Sequence, residues 1–170
     1  MSPAMARPQG QSGPSLLGED ETELAPLAPA SARSLVIEAD GGSRGNPGPA
    51  AYGALVRDAE SGDVLDEEGR VIGTTTNNVA EYSGLIAGLE MARAIDPGAA
   101  LEVRMDSRLV IEQMAGRWKI KHPSMRPLAL QARDLVPARV QWTWVPRERN
   151  KAADALVNKA LDGTPVTRHG

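Results

Sequence analysis

What most constrains this chain is a change of period at Asn78. Before it lie three short apolar runs, Leu35–Asp40, Ala51–Arg57 and Val64–Thr74. Turn-forming clusters follow or separate them at Gly41-Gly42, Asn46-Pro47-Gly48-Pro49 and Ser61-Gly62-Asp63. Runs of this length bounded by Gly, Pro and Asn read as strands, and the short links predict an antiparallel meander. After Asn78, the residues Val79, Tyr82, Ile86, Leu89 and Arg93 recur every three to four positions, as one face of a helix does. Asp96-Pro97-Gly98 stops that helix. Next come an alternating strand, Leu101–Asp106, and a short helix, Ser107–Met114, halted at Gly116. A helix over Met125–Leu135, a strand over Val140–Val145 with Trp142 and Trp144 on one face, and a last helix complete the pattern. Asn150 would cap that helix, and Asp162-Gly163 would end it. The order βββαβααβα predicts an α/β fold: a mixed five-stranded sheet, three antiparallel strands plus two parallel, flanked by helices.

Composition sets the boundaries. Residues 1–32 are rich in Pro, Ala, Gly and Ser, with one acidic cluster at Glu19–Glu23, and are expected to form a disordered tail. The folded domain is placed at 33–163 and a C-terminal tail at 164–170. The chain has no cysteine, which excludes disulfides, thiolate metal sites and a cysteine nucleophile. It has no apolar run long enough to span a membrane and no signal-peptide order at its N-terminus. A cytoplasmic monomer is the expectation. The net charge of −3 hides an uneven distribution. From Arg104 to Lys151, eleven Lys and Arg stand against Asp106, Glu112, Asp134 and Glu148, a formal +7. A basic half of that kind is compatible with a polyanionic partner, and equally with ordinary solvated faces.

The acids that carry chemistry are those at the ends of elements. Asp40 and Asp106 each close an apolar strand, where open α/β sheets place their ligands. If the two strands are parallel neighbours, about 4.8 Å separates them, and two ionised carboxylates so close repel unless a cation or proton lies between. Glu81 sits early in the long helix on the side of Gly84 and Gly88, whose missing side chains let that face approach the sheet. Asp154 sits in the first turn of the last helix among Ala152, Ala153 and Ala155. Oxygen ligands without His or Cys suit Mg²⁺ or Mn²⁺. Each acid alone has a plainer reading: a turn for Asp40, a helix cap for Asp106, a solvated helix position for Glu81, a dipole partner for Asp154. Their conjunction favours a site.

Four stretches in order carry a family resemblance. They are Asp40-Gly41-Gly42-Ser43-Arg44-Gly45-Asn46-Pro47-Gly48-Pro49, Thr75-Thr76-Asn77-Asn78-Val79-Ala80-Glu81-Tyr82, Asp106-Ser107-Arg108-Leu109-Val110, and Trp144-Val145-Pro146-Arg147-Glu148-Arg149-Asn150 through Asp154. Together they resemble the type 1 ribonucleases H, from about Leu35 to Leu161. The resemblance implies an RNase H-like fold and a metal-dependent endonuclease that hydrolyses the RNA strand of RNA–DNA hybrids, as in removal of RNA primers and R-loops. It implies two Mg²⁺ ions, with Mn²⁺ as the alternative, and products with 5′-phosphate and 3′-hydroxyl ends. Asp40 would bridge both ions, Asp154 would serve the ion that activates water, and Glu81 and Asp106 would serve the ion at the leaving oxygen. Gly41, Gly42 and Ser43, with Glu81, would meet the RNA 2′-hydroxyl. Asn46, Asn77 and Asn78 would meet the minor groove and Thr76 a DNA phosphate; turn and cap chemistry is the plainer account of these four.

Two departures from the family pattern stand out. Many members carry a histidine in a loop before the last carboxylate. Here Val145–Asn150 is short and has none; Arg147 or Glu148 occupies that region, and a subgroup of the family has Arg there. His122 and His169 are no obvious substitutes. Many members also insert a basic helix as a handle for the hybrid, and Gly116–Pro123 is too short to hold one. Lys119 and Lys121 with Trp118 would form a reduced phosphate patch, or else Trp118 plugs the core and the lysines are solvated. Arg168-His169-Gly170 spells the start of a histidine phosphatase motif, read here as chance. The rival functions are a catalytically silent hybrid-binding module and a resolvase- or transposase-type nuclease. All four acids being present counts against the first, and the short chain against the second.

Overall fold

The computed structural model describes residues 28–169, so residues 1–27 of the tail expected over 1–32 lie outside the described residues. Five strands form one sheet: β1 (Ser34–Ser43), β2 (Gly48–Asp58), β3 (Val64–Thr75), β4 (Ala100–Met105) and β5 (Val140–Trp144), in the order β3-β2-β1-β4-β5. β1 pairs antiparallel with β2, and β2 with β3; β4 runs parallel to both β1 and β5. The helices are α1 (Asn77–Ile95), α2 (Arg108–Met114), α3 (Arg126–Leu135) and α4 (Lys151–Leu161), with a single 3₁₀ turn at Arg147–Arg149 before α4. The mixed sheet and its helices are the architecture the periodicity predicts. Among the described residues no helix is long and apolar enough to cross a membrane.

Alternation along the strands decides which helix lies where. Leu35, Ile37 and Ala39 of β1 and Tyr52, Ala54 and Val56 of β2 enter one apolar cluster with α1, α2 and α3. The intervening residues point to the other face. There Ala51 packs with Val157 and Ala160, and Leu55 with Ala153 and Leu156, so α4 covers the opposite side. Both helical layers come unusually near the sheet. A Cβ on Gly41 would stand 2.1 Å from the Ala80 carbonyl carbon, one on Gly84 2.5 Å from the Asp40 oxygen, and one on Gly53 2.4 Å from the Ala153 oxygen. The absence of side chains at these positions seats α1 and α4 directly against β1 and β2.

Strand β1 runs three residues further than the sequence predicts. Asp40 faces Gly53 within the ladder, and pairing continues to Ser43 opposite Ala50. Gly41-Gly42 is therefore strand and not turn, because β2 supplies hydrogen-bond partners beyond the apolar run. Parallel pairing with β4, by contrast, stops at Glu38 opposite Arg104. Asp40 thus lies where β1 has lost its neighbour on one side only.

Residues 164–169 stay on the body of the domain. Val166 exchanges backbone hydrogen bonds with Gly69 at 2.9 and 3.0 Å. The Arg168 guanidinium donates to Glu68 at 2.7 Å and Glu90 at 3.2 Å. At the other end Ser31 donates to Asp96 at 2.7 Å, and Arg139 donates to the Ser31 carbonyl at 2.8 Å. No helix stands between α2 and α3, where the handle is expected to be missing.

Candidate active site

Four elements bring the four acids to one place, the rim where β1 and β4 part. Asp40 is 9% exposed on β1. Burial pushes its carboxyl up to about 8; Asp106, Asp154 and Glu81 push the same way, and a hydrogen bond from the Gly41 N–H pulls against them. Glu81 lies at the start of the second turn of α1, one position further along than an Asn78 start would give, because the helix begins at Asn77. Its carboxyl is pushed up to about 7, first by burial and further by Asp106, against a hydrogen bond from the Ser107 hydroxyl. Asp106 follows β4 directly, and Ser107 caps α2 by accepting from the Val110 N–H at 3.2 Å. Asp154 is in the first turn of α4, and its Oδ2 accepts from Asn158 at 3.4 Å.

Asp106 pushes both Asp40 and Glu81 up, and no cationic side chain is among the causes of either shift. Among the described residues no three of them are drawn tightly enough to form a ready-made ion cage. The site is better described as a group of neighbouring carboxylates open to a ligand. Its donor set is hard oxygen throughout, which fits divalent cations of the Mg²⁺ and Mn²⁺ kind. Charge points the same way: two carboxylates driven toward neutrality at physiological pH are what a bound cation would restore.

Asn150 is the residue that sequence reasoning assigned wrongly. It occupies the cap position of α4 yet makes no side-chain cap hydrogen bond. Its Nδ2 turns inward, donating to the Ala39 carbonyl at 2.9 Å and to Asp106 Oδ1 at 3.0 Å. Its Oδ1 is buried without a donor, an arrangement that costs about 1–3 kcal/mol. Asn before a helix is a cap by local chemistry, and nothing local distinguishes the two uses. Trp144, on β5 and at the head of the fourth stretch, makes a contact that its sequence neighbours do not foretell. Its Nε1 donates to the Asp106 carbonyl at 3.2 Å, and the Arg108 guanidinium lies 4.4 Å from its ring centre.

The expected substrate contacts form a second network beside the acids. Ser43 donates to Asn77 Oδ1 from both its N–H, at 2.9 Å, and its hydroxyl, at 3.0 Å. Asn46 Oδ1 accepts from the Asn77 N–H at 3.1 Å, and Thr76 Oγ1 accepts from the Val79 N–H at 3.3 Å. The loop after β1 and the start of α1 are thus fastened together. Turn and cap chemistry is real here, and it uses the acceptors. The amide donors of Asn46 and Asn77 and the hydroxyl proton of Thr76 are the groups left to face a ligand. Asn78 stands next to them in the first turn of α1, and Gly42 pairs with Ala51.

Lys119 and Lys121 are not beside the acids. They line a cavity of about 410 Å³ between the α2–α3 link and α3, with Trp118, Ile120, Arg126, Leu130 and Arg133. Trp118 is 45% exposed, so it is no core plug. Arg147 is exposed on the 3₁₀ turn and makes no ion pair among the described residues. His122 is exposed and bonds Ser124 at 2.7 Å, and His169 lies 3.8 Å from Asp66 beside β3.

Residues 38–160 match the family described as reverse transcriptase-like. The chain is 56% identical over 130 residues to the bifunctional protein Rv2228c of Mycobacterium tuberculosis, covering 75% of this chain and 35% of that one. It therefore spans about a third of that relative's length. The solved N-terminal RNase H domain of the same mycobacterial protein superposes with a TM-score of 0.74 at 53% identity, over 78% of this chain and 96% of that one. A ribonuclease HI of Halobacterium salinarum is 47% identical over 126 residues, 72% of this chain and 62% of that one. LC11-RNase H1, solved in complex with an RNA/DNA hybrid, superposes with a TM-score of 0.71 at 40% identity, over 75% of this chain and 96% of that one. The fold is the mixed-sheet α/β fold of these ribonuclease H structures, and the acid-lined rim lies at the edge of that sheet. The chain belongs to the reverse transcriptase-like family, within its type 1 ribonucleases H, which generally use divalent metal ions.

Proposed function

We propose that this chain is an endoribonuclease that cleaves the RNA strand of RNA–DNA hybrids, leaving 5′-phosphate and 3′-hydroxyl ends. The observation that carries the reading is the convergence of Asp40, Glu81, Asp106 and Asp154 from four elements, with burial and mutual repulsion raising Asp40 and Glu81. Two Mg²⁺ ions, or Mn²⁺ in their place, held by these four carboxylates would supply the charge that activates a water and neutralises the departing 3′-oxygen.

The remaining roles belong to the chain's own groups. Asp40, on which the other three acids all act, would serve both ions; Asp154 would serve the side of the attacking water, and Glu81 and Asp106 the side of the leaving oxygen. Backbone groups of Gly41, Gly42 and Ser43 lie next to Asp40 on the same strand. With Glu81 they read the 2′-hydroxyl, the group that separates RNA from DNA. Asn46, Asn77 and Asn78 offer amide donors, which suit the acceptors that line a minor groove. Thr76 offers its hydroxyl proton to a DNA phosphate. Lys119 and Lys121 hold phosphates further along the duplex, as one chain on one hybrid. Arg147 acts as a fixed charge, because its guanidinium keeps its proton near neutrality. A hybrid, a duplex RNA and a duplex DNA, each with Mg²⁺, Mn²⁺ or chelator, test this. Cleavage of the hybrid alone, abolished by chelator, is the expected result, and intact hybrid under both metals would refute it.

A further inference from the structure

Asn150 is a buried amide that the reaction as described leaves unused, 1% exposed at the entry to α4. Both partners of its Nδ2, the Ala39 carbonyl and Asp106 Oδ1, are acceptors only. The orientation of the amide is therefore forced, since turning it over would set its oxygen against two others. In this orientation Oδ1 has no donor among the described residues, and the helix it precedes goes without a side-chain cap. A residue kept for stability alone would satisfy its own acceptor or cap the helix. Asn150 does neither. Its two bonds reach 111 and 44 residues along the chain, to the backbone just before Asp40 and to the carboxylate of Asp106.

We propose that Asn150 is a positioning residue of the acid cluster. By holding Asp106 Oδ1 against the β1 backbone, it fixes which oxygen of Asp106 stays available to a divalent cation beside Asp40. This role presupposes that the four acids hold such cations, as proposed above. Removing the amide leaves the ligand in place but unaimed, so affinity for the metal falls while the chemistry at saturating metal survives.

Mn²⁺ binding to the full chain, followed by titration calorimetry without nucleic acid, tests the role. Asn150→Ala is expected to weaken Mn²⁺ binding by about ten- to a hundredfold, the usual loss when the partner orienting a metal ligand is removed. Saturating Mn²⁺ should restore most of the hybrid cleavage. In an Asp106→Asn background the same substitution should shift Mn²⁺ binding less than about twofold, because the group through which Asn150 acts is already gone. An equal loss in both backgrounds overturns the proposal. So does unchanged Mn²⁺ affinity with a lowered melting temperature, which would leave Asn150 as a tie between α4 and β1 and nothing more. If Asn150→Ala fails to fold, the Asn150 side-chain amide resonances of the unaltered chain decide. They shift on addition of Mg²⁺ if Asp106 is the shared partner, and stationary resonances refute the role. Absence of any Mn²⁺ binding by the unaltered chain would instead remove the reading of the four acids, and this proposal with it.

Discussion

Two buried carboxylates, one on β3 and one at the rim, are treated in opposite ways. On β3 Glu68 is 5% exposed, and burial pushes its carboxyl up. Hydrogen bonds from Arg168 and from the Tyr52 hydroxyl more than offset this and leave it below its ordinary value. At the rim Asp40 is buried to a similar degree, yet its neighbours are more acids and its carboxyl is carried up to about 8. Burial is common to both regions, and the difference lies in the partner. An acid paired with a guanidinium contributes to holding the fold; acids gathered without one work against it until a cation arrives. The rim therefore carries a cost that the Glu68 pairing avoids, and that cost is what supports reading it as the site.

Asp40→Asn breaks the comparison most sharply. Hybrid cleavage should fall by about three orders of magnitude, the loss expected when several kcal/mol of charge stabilisation are withdrawn. The metal-free melting temperature should hold or rise, because a repelling charge has gone. Substantial cleavage by this variant would sink the assignment of the four acids.

Arg168→Ala should do the reverse. It strands Glu68 and Glu90, and urea denaturation should report a loss of about 1–3 kcal/mol, kept modest because the guanidinium is partly exposed. Cleavage per folded molecule should not change.

Proton linkage sharpens the contrast further. Asp40 and Glu81 hold protons more tightly folded than unfolded, so the folded chain binds more protons than the unfolded one between about pH 4 and 8. Metal-free stability is then greatest at the acid end of that window and falls as pH rises through 7 and 8. Glu68 has the opposite sign: its contribution is present above its ordinary value near 4.5 and is lost as pH falls below it. Melting curves from pH 5 to 9 in chelator should slope downward. Saturating Mn²⁺ or the Asp40→Asn change should flatten them, and a flat curve in the unaltered chain would contradict the raised carboxyls.

The smallest effect expected is in the cavity beside α3. Changing Lys119 and Lys121 together to Ala should raise KM for hybrid with little change in kcat. The log–log salt slope should shrink by about 1 to 2 units as two phosphate contacts are lost. An unchanged slope would make these lysines solvated surface only.

How much of this could be read from residue order depends on distance along the chain. The strands and helices were legible because period is local, and Asp40 and Asp106 were legible because they end apolar runs. Glu81 gave itself away through Gly84 on the same helix face, and Gly84 does meet the Asp40 backbone. The extension of β1 to Ser43 was not legible, because the partners that make Gly41-Gly42 a strand lie on β2. Asn150, Trp144 and Arg168 were missed or misread for the same reason. Their decisive hydrogen bonds span 111, 38 and 100 residues. No local pattern encodes a bond of that reach.

The bond from the Trp144 indole to the Asp106 carbonyl has one more consequence. It places a half-exposed chromophore a single hydrogen bond from the acid cluster, with a guanidinium over its face. Trp118 lies on the separate cavity beside α3, and Trp142 is packed against the apolar core. The chain thus carries its own optical reporter. Emission from Trp144 is expected to respond to a change of charge at the rim, and removal of the other two indoles by substitution would isolate that signal without attaching a dye.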